Sequence, residues 1–168
     1  MTVVMRHRLE RSQSIQVGLT QTFNFFSDAA NLEALTPPFL KFRILTRFPI
    51  EMRSGTRIEY TLSLFGIPIR WRTRITEWMP GQRFVAEQEI GPFAFWRHTH
   101  EFWFHDKATT IRDVVEYSEP FGMLGQLAHG LFVKRMLDRI FDFRHDQIQS
   151  LLNNVAPVRV DAQRIKCK

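Results

Sequence analysis

The sequence predicts an α+β domain in which a curved antiparallel sheet of about seven strands wraps around one long C-terminal helix, with two short helices after the first strand. Three observations carry this. Between residues 56 and 117, apolar and polar residues alternate with period two in short runs punctuated by Gly and Pro. The connections between those runs, such as Phe65-Gly66-Ile67-Pro68 and Met79-Pro80-Gly81-Gln82, are short enough for hairpins. From about Leu124 to Leu152 the period lengthens to that of a helix, without proline.

From His7 to Val17, Leu9, Ile15 and Val17 fall among polar residues, a weak alternation suited to an edge strand. At Leu19 the period changes. Thr20 is a candidate cap, Phe23 and Phe26 share a helical face, and Ser27 or Asp28 can cap a second turn through Leu32 and Leu35. Thr36-Pro37-Pro38 stops it, because a residue before proline avoids the helical region. Strands are expected over Leu40–Phe48, Thr56–Phe65, Pro68–Trp78, Arg83–Ile90, Phe95–Phe104 and Thr110–Tyr117. In the last helix Val133, Leu137, Ile140, Phe141, Ile148, Leu151 and Leu152 share one face. Its expected length is roughly 40 Å, enough to cross a small sheet.

Parity assigns the faces of the sheet. Ile67, Ile69, Trp71, Thr73 and Ile75 alternate with Arg70, Arg72 and Arg74. Ile58, Tyr60, Leu62 and Leu64 alternate with Arg57, Glu59 and Thr61, while Trp96, His98, His100, Phe102 and Phe104 alternate with Arg97, Thr99 and Glu101. One face is dry and the other wet, as antiparallel sheets allow.

The division expected is a domain over residues 1–152 and a basic, loosely ordered tail over 153–168. The net charge is +6, and the tail carries Arg159, Arg164, Lys166 and Lys168 against Asp161. The remaining basic residues are spread along strands rather than clustered, which argues against specific nucleic-acid binding. The lone cysteine, Cys167, excludes an internal disulfide. No apolar leader core interrupts the charged start of the chain and no run is long enough for a membrane span, so a cytoplasmic setting is expected.

A helix laid across a twisted sheet cannot touch every inward residue, so this layout leaves a hollow. Aromatic residues are 13% of the chain, more flat apolar surface than an ordinary core employs, and suit the walls of such a hollow. A small hydrophobic molecule is the expected partner. The expected lining is Tyr60, Leu62, Trp71, Thr73, Phe84 and Gln88 from the middle strands, Trp96, His98, His100, Phe102 and Tyr117 from the later ones, and Leu137, Phe141 and Arg144 from the helix.

The run PPFLKFRIL, the block GTRIEYTLSLFGIPIRWRTRITEWMPGQRFVAEQ, the strand WRHTHEF and the passage from FGMLG into FVKRMLDRIFDFRH together resemble bacterial members of the START-like, or SRPBCC, helix-grip superfamily over residues 6–152. That superfamily includes lipid-transfer domains, birch pollen allergen-like proteins, coenzyme Q-binding proteins and polyketide cyclases. The resemblance implies an apolar ligand such as a lipid, isoprenoid, quinone or aromatic polyketide. It carries no residue set specific to the enzymes.

Three residues carry chemistry. His98 and His100 share the dry face, and a turn over His105–Thr109 sets Phe102 opposite Asp113, His100 opposite Val115 and His98 opposite Tyr117, with Asp113 diagonal to His100. A carboxylate beside an imidazole fixes its tautomer and raises its basicity, so His98, His100 and Asp113 are the catalytic candidates for a cyclase or dehydratase. The same trio also serves as a self-satisfied network or as a hydrogen-bonding site for ligand. A third ligand for zinc is not evident beside the two histidines, and no nucleophile elbow, phosphate-binding loop, dinucleotide fingerprint or HExxH pattern occurs, so neither metal nor cofactor is expected. Arg144 falls inside the apolar stripe and needs a partner, either a sheet carboxylate (Glu77, Glu87 or Asp113) or an anionic ligand group. Gly122-Met123-Leu124-Gly125 is placed to act as a portal loop, His129 and His145 are read as surface groups, and exposed Trp103 and Phe93 with the basic tail offer peripheral membrane contact.

Overall fold

A computed structural model describes residues 6–120 and 132–153 of the chain. The strands are β1 (His7–Ile15), β2 (Arg43–Ile44), β3 (Arg57–Leu64), β4 (Ile67–Met79), β5 (Arg83–Ile90), β6 (Phe95–His105) and β7 (Ala108–Ser118). They form one sheet in the order β1-β7-β6-β5-β4-β3-β2, every neighbouring pair antiparallel. Helices α1 (Leu19–Ser27) and α2 (Asn31–Ala34) and a 3-10 turn at Pro38–Leu40 link the first two strands. Helix α3 (Lys134–Asn153) closes the described chain. The expected helix over 124–131, the loop Gly122-Met123-Leu124-Gly125 and His129 lie outside the described residues, as does the tail after Asn153.

The expected strand over Leu40–Phe48 shrinks to two residues. Pro38–Leu40 closes a 3-10 turn and Lys41 follows in the left-handed region at φ 47°, so the chain cannot extend until Phe42. Beyond Ile44 the Leu45 and Thr46 amides both turn to the Glu59 carbonyl, which ends the regular ladder. Helix α1 begins after Gly18, not at a Thr20 cap; Thr22 donates its hydroxyl back to the Gly18 carbonyl at 3.0 Å. Asp28 Oδ1 accepts the Ala30 amide at 2.9 Å in the turn before α2, but the N-cap of that helix is Ala30 and neither Ser27 nor Asp28 caps it.

Sheet curvature has a local cause. β4 is 13 residues long, and its pairing with β5 slips between Arg72 and Thr73 and again between Ile75 and Glu77. Such bulges bend a strand and increase its twist. The second bulge also reverses the parity of the residues beyond it, so that Trp78 turns inward against Phe23 and Phe84, and Glu77 turns outward to pair with Arg83 and Arg97.

The interior divides into three apolar clusters. Ile148 and Leu152 of α3 pack with Ile15, Phe23, Phe26, Phe102 and Ile111 at one end. Leu137 and Phe141 pack with Leu9, Val115 and Tyr117 at the other. The third, around Leu40, Leu62 and Trp71, belongs to the far half of the sheet. Helix α3 thus lies nearer β1 and β7, and space remains between its inner face and β3, β4 and β5. Among the described residues no helix is long and apolar enough to cross a membrane.

Candidate functional site

That space is a cavity of about 190 Å³, walled by β3 to β6, the α1–α2 segment and α3. Alternation along β3 and β4 aims Tyr60, Leu62, Trp71 and Thr73 into it. Phe84 enters from β5, Trp96, His98 and His100 from β6, and Leu137, Phe141 and Arg144 from successive turns of α3. These are eleven of the fourteen residues expected to line it.

Three others point elsewhere. Phe102 is turned into the first cluster, its ring 5.3 Å from both Phe23 and Phe26. Gln88 bridges the β5–β6 loop, donating to the Phe93 carbonyl at 2.8 Å. Tyr117 lies behind the wall against His7, Phe93 and Trp96. Conversely Phe93, expected at the surface, is half-buried in the wall between Trp71 and Trp96 at 5.8 and 4.8 Å. It sits in a loop after Gly91-Pro92, where no periodicity signals direction. Ala86, Ile140 and Met136 extend the lining beyond the expected residues. Ile140 is the one with a readable signal, its place in the helix stripe.

The histidine pair and Asp113 meet in a register two residues from the expected one. His100 stands opposite Asp113, His98 opposite Val115, Trp96 opposite Tyr117 and Phe102 opposite Ile111. The cause is the turn. Asp106 and Lys107 alone form it, at φ 49° and 63°, flanked by the pair His105 and Ala108, which is the conformation of a two-residue hairpin. Because the shift is even, every side chain keeps its face.

Asp113 Oδ1 lies 2.9 Å from His98 Nε2 and 2.7 Å from His100 Nδ1. The His98 contact is a well-aligned hydrogen bond. The His100 N–H points off the line to the oxygen, so that contact is chiefly electrostatic. All three residues are buried, at 8%, 5% and 5% exposure, which makes charge expensive to hold there. Burial, with the neighbouring His100, pushes His98 down to about 3 against the opposing pull of Asp113. Burial likewise depresses His100. Burial by itself raises the Asp113 pKa, yet the His100 and His98 contacts hold it well below the usual carboxylate range. The trio is therefore an ionised carboxylate between two neutral imidazoles at neutral pH, accepting a hydrogen bond from His98 and facing the Nδ1 of His100. With Nε2 of His98 and Nδ1 of His100 committed to Asp113, the second nitrogen of each ring is left as an acceptor beside the cavity, without a hydrogen-bond partner among the described residues. Phe84 stacks on His100 at 4.3 Å and Phe141 meets His98 edge-on at 5.5 Å, which holds both rings in place.

A third metal ligand, not evident in the sequence, is present beside the histidines: Asp113 supplies it, and the three candidate ligand atoms lie within 4.8 Å of one another. Two features oppose a cation there. The shared carboxylate oxygen is already engaged by both imidazoles, and the charge of Arg144 is felt at both histidines.

The expected salt bridge from Arg144 to a sheet carboxylate is not formed. Glu77 is turned outward by the β4 bulge, Glu87 lies 3.6 Å from Arg97 on the outer face, and Asp113 is taken by the histidines. Arg144 lines the cavity, its guanidinium carbon 5.8 Å from the Phe141 ring centre, and burial pushes its pKa down while Asp113 and Tyr60 oppose the shift. Across the sheet the Tyr60 and Thr73 hydroxyls share a hydrogen bond of 3.0 Å.

No protein-family model and no curated protein sequence matches the chain. Solved structures do. An aromatase/cyclase, Zhui, from Streptomyces sp. R1128 superposes with a TM-score of 0.71 at 12% identity, covering 89% of this chain and 94% of that one. A START superfamily protein from Mycobacterium smegmatis superposes at 0.66 with 11% identity, over 88% of this chain and 97% of that one. Ginseng major latex-like protein 151 from Panax ginseng superposes at 0.61 with 9% identity, over 88% and 97%. At such identities the likeness speaks for architecture: a seven-stranded antiparallel sheet closed by a C-terminal helix, with two short helices between its first strands. The chain has the START-like helix-grip fold.

Proposed function

We propose that the protein binds a small hydrophobic organic molecule in the cavity between β3–β6 and α3. The observation that carries this reading is the cavity itself: about 190 Å³ of interior space walled mainly by aromatic and aliphatic side chains, with a few polar groups converging on it. A void of about 150 Å³ lined by apolar groups accepts benzene. The space here suits one substituted ring or a compact bicycle, such as a quinone head or a polyketide ring, better than an entire lipid chain. Burying about 200 Å² of such a ligand is worth about 5 kcal/mol before the cost of immobilising it. Shape alone then gives weak binding, and selectivity falls to the polar groups.

The superposition on an aromatase/cyclase raises acid–base catalysis by His98, His100 and Asp113 as a second reading. The depressed basicity of the histidines weighs against it, because an efficient general base titrates near the working pH and His98 is held at about 3. Binding and transfer, with the histidines as hydrogen-bond acceptors, fits their electrostatics better. A cytoplasmic setting accords with the single cysteine of the sequence.

Native mass spectrometry of protein purified from its own host, followed by organic extraction, tests the reading. One recurring aromatic or isoprenoid species at near-stoichiometric level is expected. Recovery of empty protein that takes up no small aromatic compound on titration overturns it.

A further inference from the structure

The guanidinium of the half-buried Arg144 reaches the cavity without an acceptor among the described residues. It interrupts the buried stripe of α3 between Phe141 and Ile148, it lines the cavity, and it makes no ion pair or hydrogen bond with any described residue. Its Nε is shut off from solvent and has no partner. Asp113, the carboxylate whose charge reaches it, is committed to His98 and His100, and Asp28, also on the cavity wall, accepts the Ala30 amide. An arginine cannot escape by losing its proton, since it remains charged in proteins, so an unpaired guanidinium there is a standing cost. A second donor on the cavity wall is in the same condition. Trp71 Nε1 is buried without an acceptor, and its ring stacks on Tyr60 at 6.0 Å. Tyr60 is near enough to Arg144 that each influences the charge of the other.

Arg144 and Trp71 thus leave two donors without an acceptor, one of them charged, on the cavity wall. A neutral apolar ligand would cover Arg144 and leave it unpaired. A cation would be repelled. A ligand with one oxyanion would satisfy Arg144 in a water-poor site, where charge-assisted hydrogen bonds are strongest. Resting on the cavity-binding reading above, we propose that the ligand is an anion: a one- or two-ring molecule whose carboxylate or phenolate oxygen is held by Arg144, with the Trp71 indole N–H available to a further ligand oxygen. The remainder of the ligand lies against Leu62, Trp96 and Ile140.

A charge series on a common frame tests this by isothermal titration: 4-ethylbenzoate, the neutral 4-ethylbenzamide, the cationic 4-ethylbenzylamine, and 4-nitrophenol, whose absorption reports its own ionisation. The benzoate is expected to bind at least tenfold more tightly than the amide and the amine not at all. In Arg144→Leu that preference should vanish while the amide changes less than threefold. A bound nitrophenol that ionises at lower pH than the free compound identifies a phenolate site; benzoate binding with nitrophenol remaining neutral identifies a carboxylate site. If the amide equals or exceeds the benzoate on the unaltered protein, the anion site is overturned and the apolar cavity stands. If none of the four binds, the cavity reading falls with it. The comparison among ligands on the unaltered protein decides the matter even where Arg144→Leu does not fold.

Discussion

Asp113 on β7 stands directly opposite His100 on β6, with its Oδ1 2.7 Å from the imidazole Nδ1. This cross-strand pair, with His98 at 2.9 Å from the same oxygen, places an ionised carboxylate and two neutral imidazoles on the buried face of the sheet. Stability should therefore depend on pH with a definite sign. In the unfolded chain histidine titrates near 6.5, whereas native His98 resists protonation down to about 3. The unfolded state therefore takes up the proton first as pH falls from about 6.5, and stability declines by up to about 1.4 kcal/mol per pH unit for each such histidine. Asp113 acts in the same direction, its contribution being present above the unfolded carboxylate value and lost as pH falls through its lower native one. Urea midpoints at pH 7, 6 and 5 should decrease steadily, and less steeply in His98→Gln. A midpoint constant over that range would mean that the native histidines take up protons as readily as those of the unfolded chain, and a midpoint that rises as pH falls would mean that they are already charged in the native state.

Replacing the shared carboxylate should be costly. Asp113→Asn removes the charge that both imidazoles face and the attraction felt by Arg144, and a loss of about 2–4 kcal/mol is expected. Glu59→Gln is the contrast, since Glu59 pairs with Arg70 and Arg72 on the wet face, where solvent screening leaves such pairs worth little, and a much smaller loss is expected. Chemical denaturation of the two variants side by side separates them. Equal losses would remove the distinction drawn between the inner and outer networks.

The β6–β7 turn carries a correctable strain. Lys107 occupies the left-handed region at φ 63°, where a side chain costs roughly 1 kcal/mol and glycine nothing. Lys107→Gly should stabilise the fold by about 0.5–1 kcal/mol, with the thermal midpoint raised correspondingly. A lowered midpoint would mean that the lysine side chain makes a compensating contact.

Ala86 points from β5 into the cavity. Ala86→Leu adds three carbons to empty space, so thermal stability should hold or rise while affinity for any cavity ligand drops at least tenfold. In a solidly packed interior the same insertion typically costs about 1–3 kcal/mol, and that result would count against an open cavity.

Much of the architecture can be read from the chain because it depends on counting. Strand parity and helical spacing place Tyr60, Trp71, His98 and Phe141 on inward faces without reference to any partner strand, and those assignments hold. Assignments that need a partner are less secure. The β6–β7 register differs by two residues because two successive left-handed residues, neither of them glycine, close a tighter turn than composition suggests. Glu77 leaves the inner face because a bulge in β4 resets the parity, and nothing in the local alternation announces it.

The sequence by itself determines a two-layer α+β domain, the order and faces of its strands, and an apolar stripe on the last helix interrupted by an arginine, since these depend on period and punctuation along one dimension. Only the tertiary structure decides that Asp113 faces His100, that Phe93 joins the wall while Phe102 leaves it, and that Arg144 finds no carboxylate among the described residues. These outcomes depend on hairpin geometry, bulges and the distance between helix and sheet, which arise when separate segments pack and have no local signature in the chain.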